Sequence, residues 1–93
     1  MNPKISAYIG FSVKKGSVVF GLDTVETYKK KVYLILCSDK LAENSLKRAV
    51  AEGQKRNCTV ATVDGLEETL KRNCKVLAIC DKQLAEAIKE NLL

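Results

Sequence analysis

The chain has 93 residues, and sixteen Lys and Arg against eleven Asp and Glu give a formal net charge of +5. Apolar residues make up 46%, too many for a disordered chain, and this length suits one domain whose core needs no metal or disulfide. Histidine is absent, which removes the commonest general base, Ser-His and Cys-His nucleophile pairs, and most catalytic zinc sites.

No apolar run approaches the ~20 residues of a membrane span. The N-terminus carries no long apolar stretch with a small-residue cleavage site, so a cytoplasmic location is expected. In that compartment disulfides are rare, and Cys37, Cys58, Cys74 and Cys80 form no C-x-x-C pair. They read as small buried hydrophobes.

Residues 3 to 15 read as a helix, with Ile5, Tyr8, Ile9 and Val13 at helical spacing. Pro3 suits its first turn, Lys14 and Lys15 suit the negative end of its dipole, and Gly16 is a natural stop. Ser17 to Phe20 is a short strand, broken by Gly21. A helix from about Leu22 to Lys30 follows, with Asp23 or Thr24 as its cap. Val32 to Cys37 is apolar on both faces, as a central strand is. Ser38 and Asp39 are helix-start residues for a segment running to about Arg56. Its inward positions are Leu46, Ala49, Val50 and Gly53, and Asn57 closes it. Thr59 to Val63 is a strand, Asp64-Gly65 a turn, and Leu66 to Leu70 a short helix. Lys75 to Cys80 is the last strand. Asp81 opens a final helix with Leu84, Ala85, Ile88 and Leu92 as its apolar stripe.

Strands alternating with helices argue for an α/β protein with parallel pairing and helices on both faces, a three-layer α/β/α sandwich. Parallel pairing places Cys37 and Cys80 at one end of the sheet and Cys58 and Cys74 at the other, which excludes a four-cysteine zinc site. The charge is uneven. Residues 1 to 36 hold six lysines and two acids, so nearly all the positive excess lies in the first third.

Gly16 and Gly21 have the glycine spacing of a phosphate-binding P-loop, but Leu22-Asp23 stand where that motif needs Lys and Ser or Thr. Asp39 and Asp81 each follow a strand and precede a helix, where capping is the ordinary role and acid-base work the rarer one. No catalytic or metal-binding set emerges, and no cofactor is expected. Lys14-Lys15 and Lys29-Lys30-Lys31 both end predicted helices. They complement the dipole or form a phosphate-contacting patch. Tyr8, Phe11, Phe20, Tyr28 and Tyr33 sit mostly at core positions, so recognition of folded RNA by shape fits better than a stacking platform for single strands.

The segment Ile9-Gly10-Phe11-Ser12-Val13-Lys14-Lys15-Gly16-Ser17-Val18-Val19-Phe20-Gly21 resembles the opening of the kink-turn-binding ribosomal protein family, in particular its small bacterial YlxQ-type members. Leu34-Ile35-Leu36-Cys37-Ser38-Asp39, followed by Asn44-Ser45, is similar to that family's second strand, acidic turn and next helix start. The resemblance covers almost the whole chain and implies one domain over residues 1–93. It also implies a four-stranded mixed sheet in an α/β/α sandwich. The function implied is a non-enzymatic binder of sharply bent RNA such as ribosomal RNA, alongside ribosomal or ribonucleoprotein components.

In the family a Gly-x-Asn-Glu-x-x-Lys pattern at the second helix contacts the RNA. Carried over, Gly21 matches the glycine, Leu22 follows it, and Asp23, Thr24 and Thr27 replace Asn, Glu and Lys. An ionised Asp only accepts hydrogen bonds where an asparagine amide does both, and Thr27 neutralises no phosphate. Lys31 falls where the family often has a basic residue. The loop that packs on an extruded nucleotide maps to Val63, Asp64, Gly65 and Leu66. The reading is one RNA-facing edge built from Gly21 to Thr27, Lys14, Lys15, Lys30, Lys31 and Val63 to Leu66. The alternative is a protein-interaction adaptor on the same fold that has lost kink-turn specificity.

Overall fold

A computed structural model describes residues 1–92; Leu93, which the one-domain reading includes, lies outside the described residues. The elements in chain order are α1 (Pro3–Lys15), β1 (Val18–Phe20), α2 (Leu22–Thr27), β2 (Leu34–Ser38), α3 (Glu43–Arg56), β3 (Thr59–Val63), α4 (Leu66–Leu70), β4 (Val76–Ile79) and α5 (Lys82–Glu90). The four strands form one sheet in the order β1-β4-β2-β3.

Side chains alternate across the pleat, so each central strand feeds two cores. Leu34 and Leu36 of β2 join Ile5, Ile9, Leu77 and Ile88 under α1, α4 and α5. Ile35 and Cys37 join Val25, Ala49, Val76 and Ala78 under α2 and α3. Every residue of β2 and β4 is buried, as their central positions require. The result is the three-layer α/β/α sandwich with a mixed sheet.

The pairing is mixed because of α4. β2 and β3 run parallel, with Leu34 opposite Thr59. β4 runs against both of its neighbours, β1 and β2. A five-residue helix rises only ~7.5 Å, well short of a strand of ~17 Å, so the chain re-enters the sheet from the end at which β3 left it. Alternation of strands and helices alone had argued for parallel pairing throughout. The reversal also regroups the cysteines. Cys37 shares an end of the sheet with Cys74, and Cys58 shares the other with Cys80.

Three local expectations are corrected. First, α2 ends at Thr27, not Lys30. The Thr27 hydroxyl donates back to the carbonyls of Asp23 and Thr24, and Tyr28 is extended. The lysines at 29–31 therefore lie in an extended segment and complement no helix dipole. Neither Asp23 nor Thr24 caps α2; its cap residue is Gly21, with no side-chain hydrogen bond. Second, α3 begins at Glu43. Ser38 ends β2 and its hydroxyl accepts from Lys40 N–H, so Asp39 is an exposed turn residue and caps nothing. Asp81 does cap α5, accepting from Leu84 N–H at 2.9 Å. Third, Val50 on α3 and Phe11 on α1 face solvent at 41% and 58% exposure, while Glu52 turns inward.

Glu52 is buried because Arg56 meets it. The guanidinium bonds the Glu52 carboxylate at 2.5 Å and donates to the carbonyls of Val25, Tyr28 and Lys30. Those carbonyls belong to the end of α2 and the segment beyond it. Next to Glu52 on the same helix, Gly53 packs so closely on β3 that an added Cβ would lie 2.2 Å from Val60 Cγ2.

Two predictions follow from this packing. Arg56→Ala leaves the buried Glu52 carboxylate and the Tyr28 and Lys30 carbonyls without their side-chain donor, so chemical denaturation should show a loss of about 3–5 kcal/mol. Arg56→Lys should recover little of it, because an ammonium has no planar fork. Separately, burial pushes the Cys37 thiol up to about 11. At pH 8 roughly one thiol in a thousand is then the reactive thiolate. Labelling of Cys37 by a thiol reagent should therefore track unfolding in a Cys58→Ser, Cys74→Ser, Cys80→Ser background.

Candidate nucleic-acid interface

The registers define two ends of the sheet. At the upper end β1, β2 and β3 finish and β4 begins. At the lower end β1, β2 and β3 begin and β4 finishes. The residues singled out in the sequence divide between them.

Gly21, Leu22, Asp23 and Thr24 lie at the upper end, where β1 turns into α2. Gly21 has φ +88°, a conformation glycine takes without the steric cost of a Cβ. Its N–H donates to Val76 O at 2.9 Å, which ties the turn to β4. Val63 to Leu66 also lie at the upper end, where β3 turns into α4. The two segments stand on opposite edge strands, about 14 Å apart at ~4.8 Å per strand. Thr27 lies one turn further along α2.

Lys14, Lys15, Lys30 and Lys31 are at the lower end. α1 finishes there, and Lys15 pairs with Asp81, which follows β4. Lys31 stands 5.5 Å from the centroid of the Tyr33 ring, just before β2. The single edge expected from the sequence is therefore not formed. Its glycine-led turn and loop are at one end, and its lysines are at the other.

At the upper end the replacement residues have partners of their own. Arg48 of α3 donates to Asp23 Oδ1 at 2.7 Å and to both oxygens of Glu26. Asp23 and Glu26 are three apart on α2, so one guanidinium spans both. The hydrogen bond from Arg48 is the main reason the Glu26 carboxyl lies below its ordinary value. Asp23 meets an incoming phosphate as half of an ion pair, not as a bare charge. The loop residues are less available than expected. Leu66 is completely buried and Val63 nearly so, so neither offers a face to a base. Asp64 bonds the N-terminal ammonium at 2.8 Å, and that bond is the main cause of its lowered pKa.

What the sequence reading missed is the loop between α4 and β4. It lines a cavity of about 540 Å³ against Gly21, Leu22 and the start of α3. Arg72 is exposed, and its guanidinium lies 4.2 Å from the Phe20 ring centroid. Lys75 reaches Asn73 Oδ1 at 2.8 Å. This loop is placed here by the shortness of α4, a signal present in the sequence as a five-residue helix followed by a basic, polar stretch. Among the described residues no group of three or more His, Cys, Asp and Glu is gathered as a metal site. Nor, among the described residues, is any helix long and apolar enough to cross a membrane.

No family model matches the chain, and no curated protein matches it. A solved structure of a protein of unknown function from Bacillus halodurans is similar over 94% of each chain, with a TM-score of 0.85 and 14% sequence identity. At that identity the likeness shows the fold: an α/β sandwich built as described above.

The Arg48 clamp has a pH signature. A carboxyl lowered in the folded state adds stability above its unfolded value and loses it as pH falls through the folded one. In a carboxyl NMR titration Glu26 should titrate below an ordinary glutamate. Arg48→Gln should return it to the ordinary range.

Proposed function

We propose that this chain is a non-enzymatic, cytosolic RNA-binding protein whose upper end receives a sharply bent RNA of the kink-turn kind. One observation carries the reading. The two segments that the resemblance assigns to RNA contact lie about 40 residues apart in sequence, yet the fold brings them to one end of the sheet. Beside the Gly21 turn opens a cavity lined by Arg48, Arg72 and Lys75.

The chemistry suits a bent RNA better than a straight one. The cavity is large enough for one nucleobase, and the Phe20–Arg72 stack supplies a flat wall of the kind bases pack against. Gly21 lets the backbone approach closely. Asp23 Oδ1 is engaged by Arg48, and the exposed carboxylate keeps acceptor capacity for a guanine N1–H or N2–H. Thr27 supplies no charge on α2, and cations at this end come from the loop before β4: exposed Arg72, and Lys75, which also lies 3.8 Å from Glu67.

The adaptor reading has its own support: the Asp23–Arg48–Glu26 tie occupies the position of the family's base-reading side chains. The two readings separate on a titration against a kink-turn stem, with a control stem whose G·A pairs are replaced by Watson-Crick pairs. Both are measured at two salt concentrations. Preference for the kink-turn stem, weakened by salt, is the expected result. Arg72→Ala with Lys75→Ala should lower that affinity by about 10- to 100-fold, as loss of a base-wall contact and a phosphate contact does. Absence of binding to either stem would overturn the RNA reading and leave the adaptor.

A further inference from the structure

The positive excess of the chain is not at the upper end. There Lys40, Arg48, Lys71, Arg72, Lys75 and the N-terminal ammonium are matched in number by Asp23, Glu26, Asp39, Asp64, Glu67 and Glu68. At the lower end a cleft of about 440 Å³ opens between the start of β2, the start of β3 and α5. Lys31, Lys82 and Lys89 line it, with Asn57 and Thr59 at its rim and Glu86 as the one carboxylate.

The three lysines make no ion pair among the described residues. Lys82 and Lys89 are seven residues apart on α5, two helical turns, so their ammonium groups follow one face over about 10 Å. That length is on the scale of successive phosphates along one strand. Lys31 approaches from the opposite wall, above the Tyr33 ring. Arg56 belongs to the cleft wall, but its donors are committed to Glu52 and the three carbonyls. The free charge is thus all lysine. Ammonium groups are point charges that meet phosphates without a fixed fork geometry.

We infer that this cleft seats the phosphate backbone of a second RNA segment, so that the protein holds RNA at both ends of its sheet. The ligand class rests on the RNA reading of the upper end; the site itself does not share a residue with it. No base wall lines the cleft apart from Tyr33, which Lys31 covers. Contact there is therefore sequence-independent and reads charge.

The test uses the whole chain and two probes: a plain RNA duplex of two helical turns, and the kink-turn stem with its Watson-Crick control. Lys31→Gln, Lys82→Gln and Lys89→Gln are combined in one variant. A Lys→Arg version at the same positions serves as the charge-preserving control. The triple Gln variant should bind the plain duplex about tenfold more weakly, with its salt slope reduced by about 3, one for each lost lysine. The Arg version should bind like the unaltered chain. Preference of the triple Gln variant for the kink-turn stem over its control should persist. Unchanged duplex binding in the Gln variant, with kink-turn preference intact, would overturn this inference and leave the RNA reading standing; an acidic protein would then be the cleft's partner. Duplex binding that needs the three lysines in a chain without kink-turn preference would support the cleft and overturn the upper-end reading. Failure of the unaltered chain to bind any of the RNAs would overturn both.

Discussion

The fold turns on one guanidinium. Arg56 sits at the last position of α3, and its donors reach the carbonyls of Val25, Tyr28 and Lys30, of which Val25 O also takes the Tyr28 N–H. Without them the part-buried Tyr28 carbonyl would lose its donor, a cost of about 1–3 kcal/mol. Arg56 also neutralises Glu52, a buried charge on its own helix. A single side chain therefore stops α2, extends residues 28 to 31, and fixes the distance between α2 and α3. The tilt of α2 sets where Gly21 and Asp23 stand at the upper end. The extended segment sets where Lys31 stands at the lower end. The upper turn and the lower cleft are thus held by the same buried ion pair.

The second constraint is the length of α4. Five residues of helix cannot carry the chain back along a five-residue strand, so β4 inserts antiparallel between β1 and β2. That insertion has a chemical consequence. The loop before β4 lands beside the turn before α2, bringing Arg72, Asn73 and Lys75 next to Gly21 and Leu22. In an all-parallel sheet the same loop would open at the other end, and the upper cavity would lose Arg72 and Lys75 from its wall. Gly21 N–H bonding to Val76 O is the physical seam between the two.

Much of this was legible in the residues. Apolar spacing located all five helices and four strands, because each buries a face whose period is that of its own backbone. Gly16 and Asn57 closed their helices in the left-handed conformation, and Asp81 capped α5, all as local chemistry requires. Failures came where a distant partner outweighed local preference. Tyr28 to Lys30 carry no breaker, and α2 ends there because of an arginine 26 to 31 residues away. Val50 read as an inward position and Glu52 was not among the inward ones, because helical spacing alone cannot show which stripe a buried arginine will favour. The candidate site was split for the same reason. Sequence proximity grouped the lysines at 14–15 and 29–31 with Gly21, whereas strand direction sends Gly21 to one end and both lysine clusters to the other.

That separation of charge has a physical logic. A nearly neutral end with a cavity, a fixed glycine turn and a paired Asp23 gains little from general attraction, so any preference it shows must come from shape and hydrogen bonding. An end with uncompensated lysines attracts any phosphate backbone and discriminates little. On the proposed reading, lysines gathered around Gly21 would favour straight and bent RNA alike at the upper end. Their place across the sheet would let long-range attraction raise the encounter rate while leaving the upper end less dominated by it. The Arg48 clamp completes the arrangement, because it holds the Asp23 charge in place and removes its repulsion from approaching phosphates at short range.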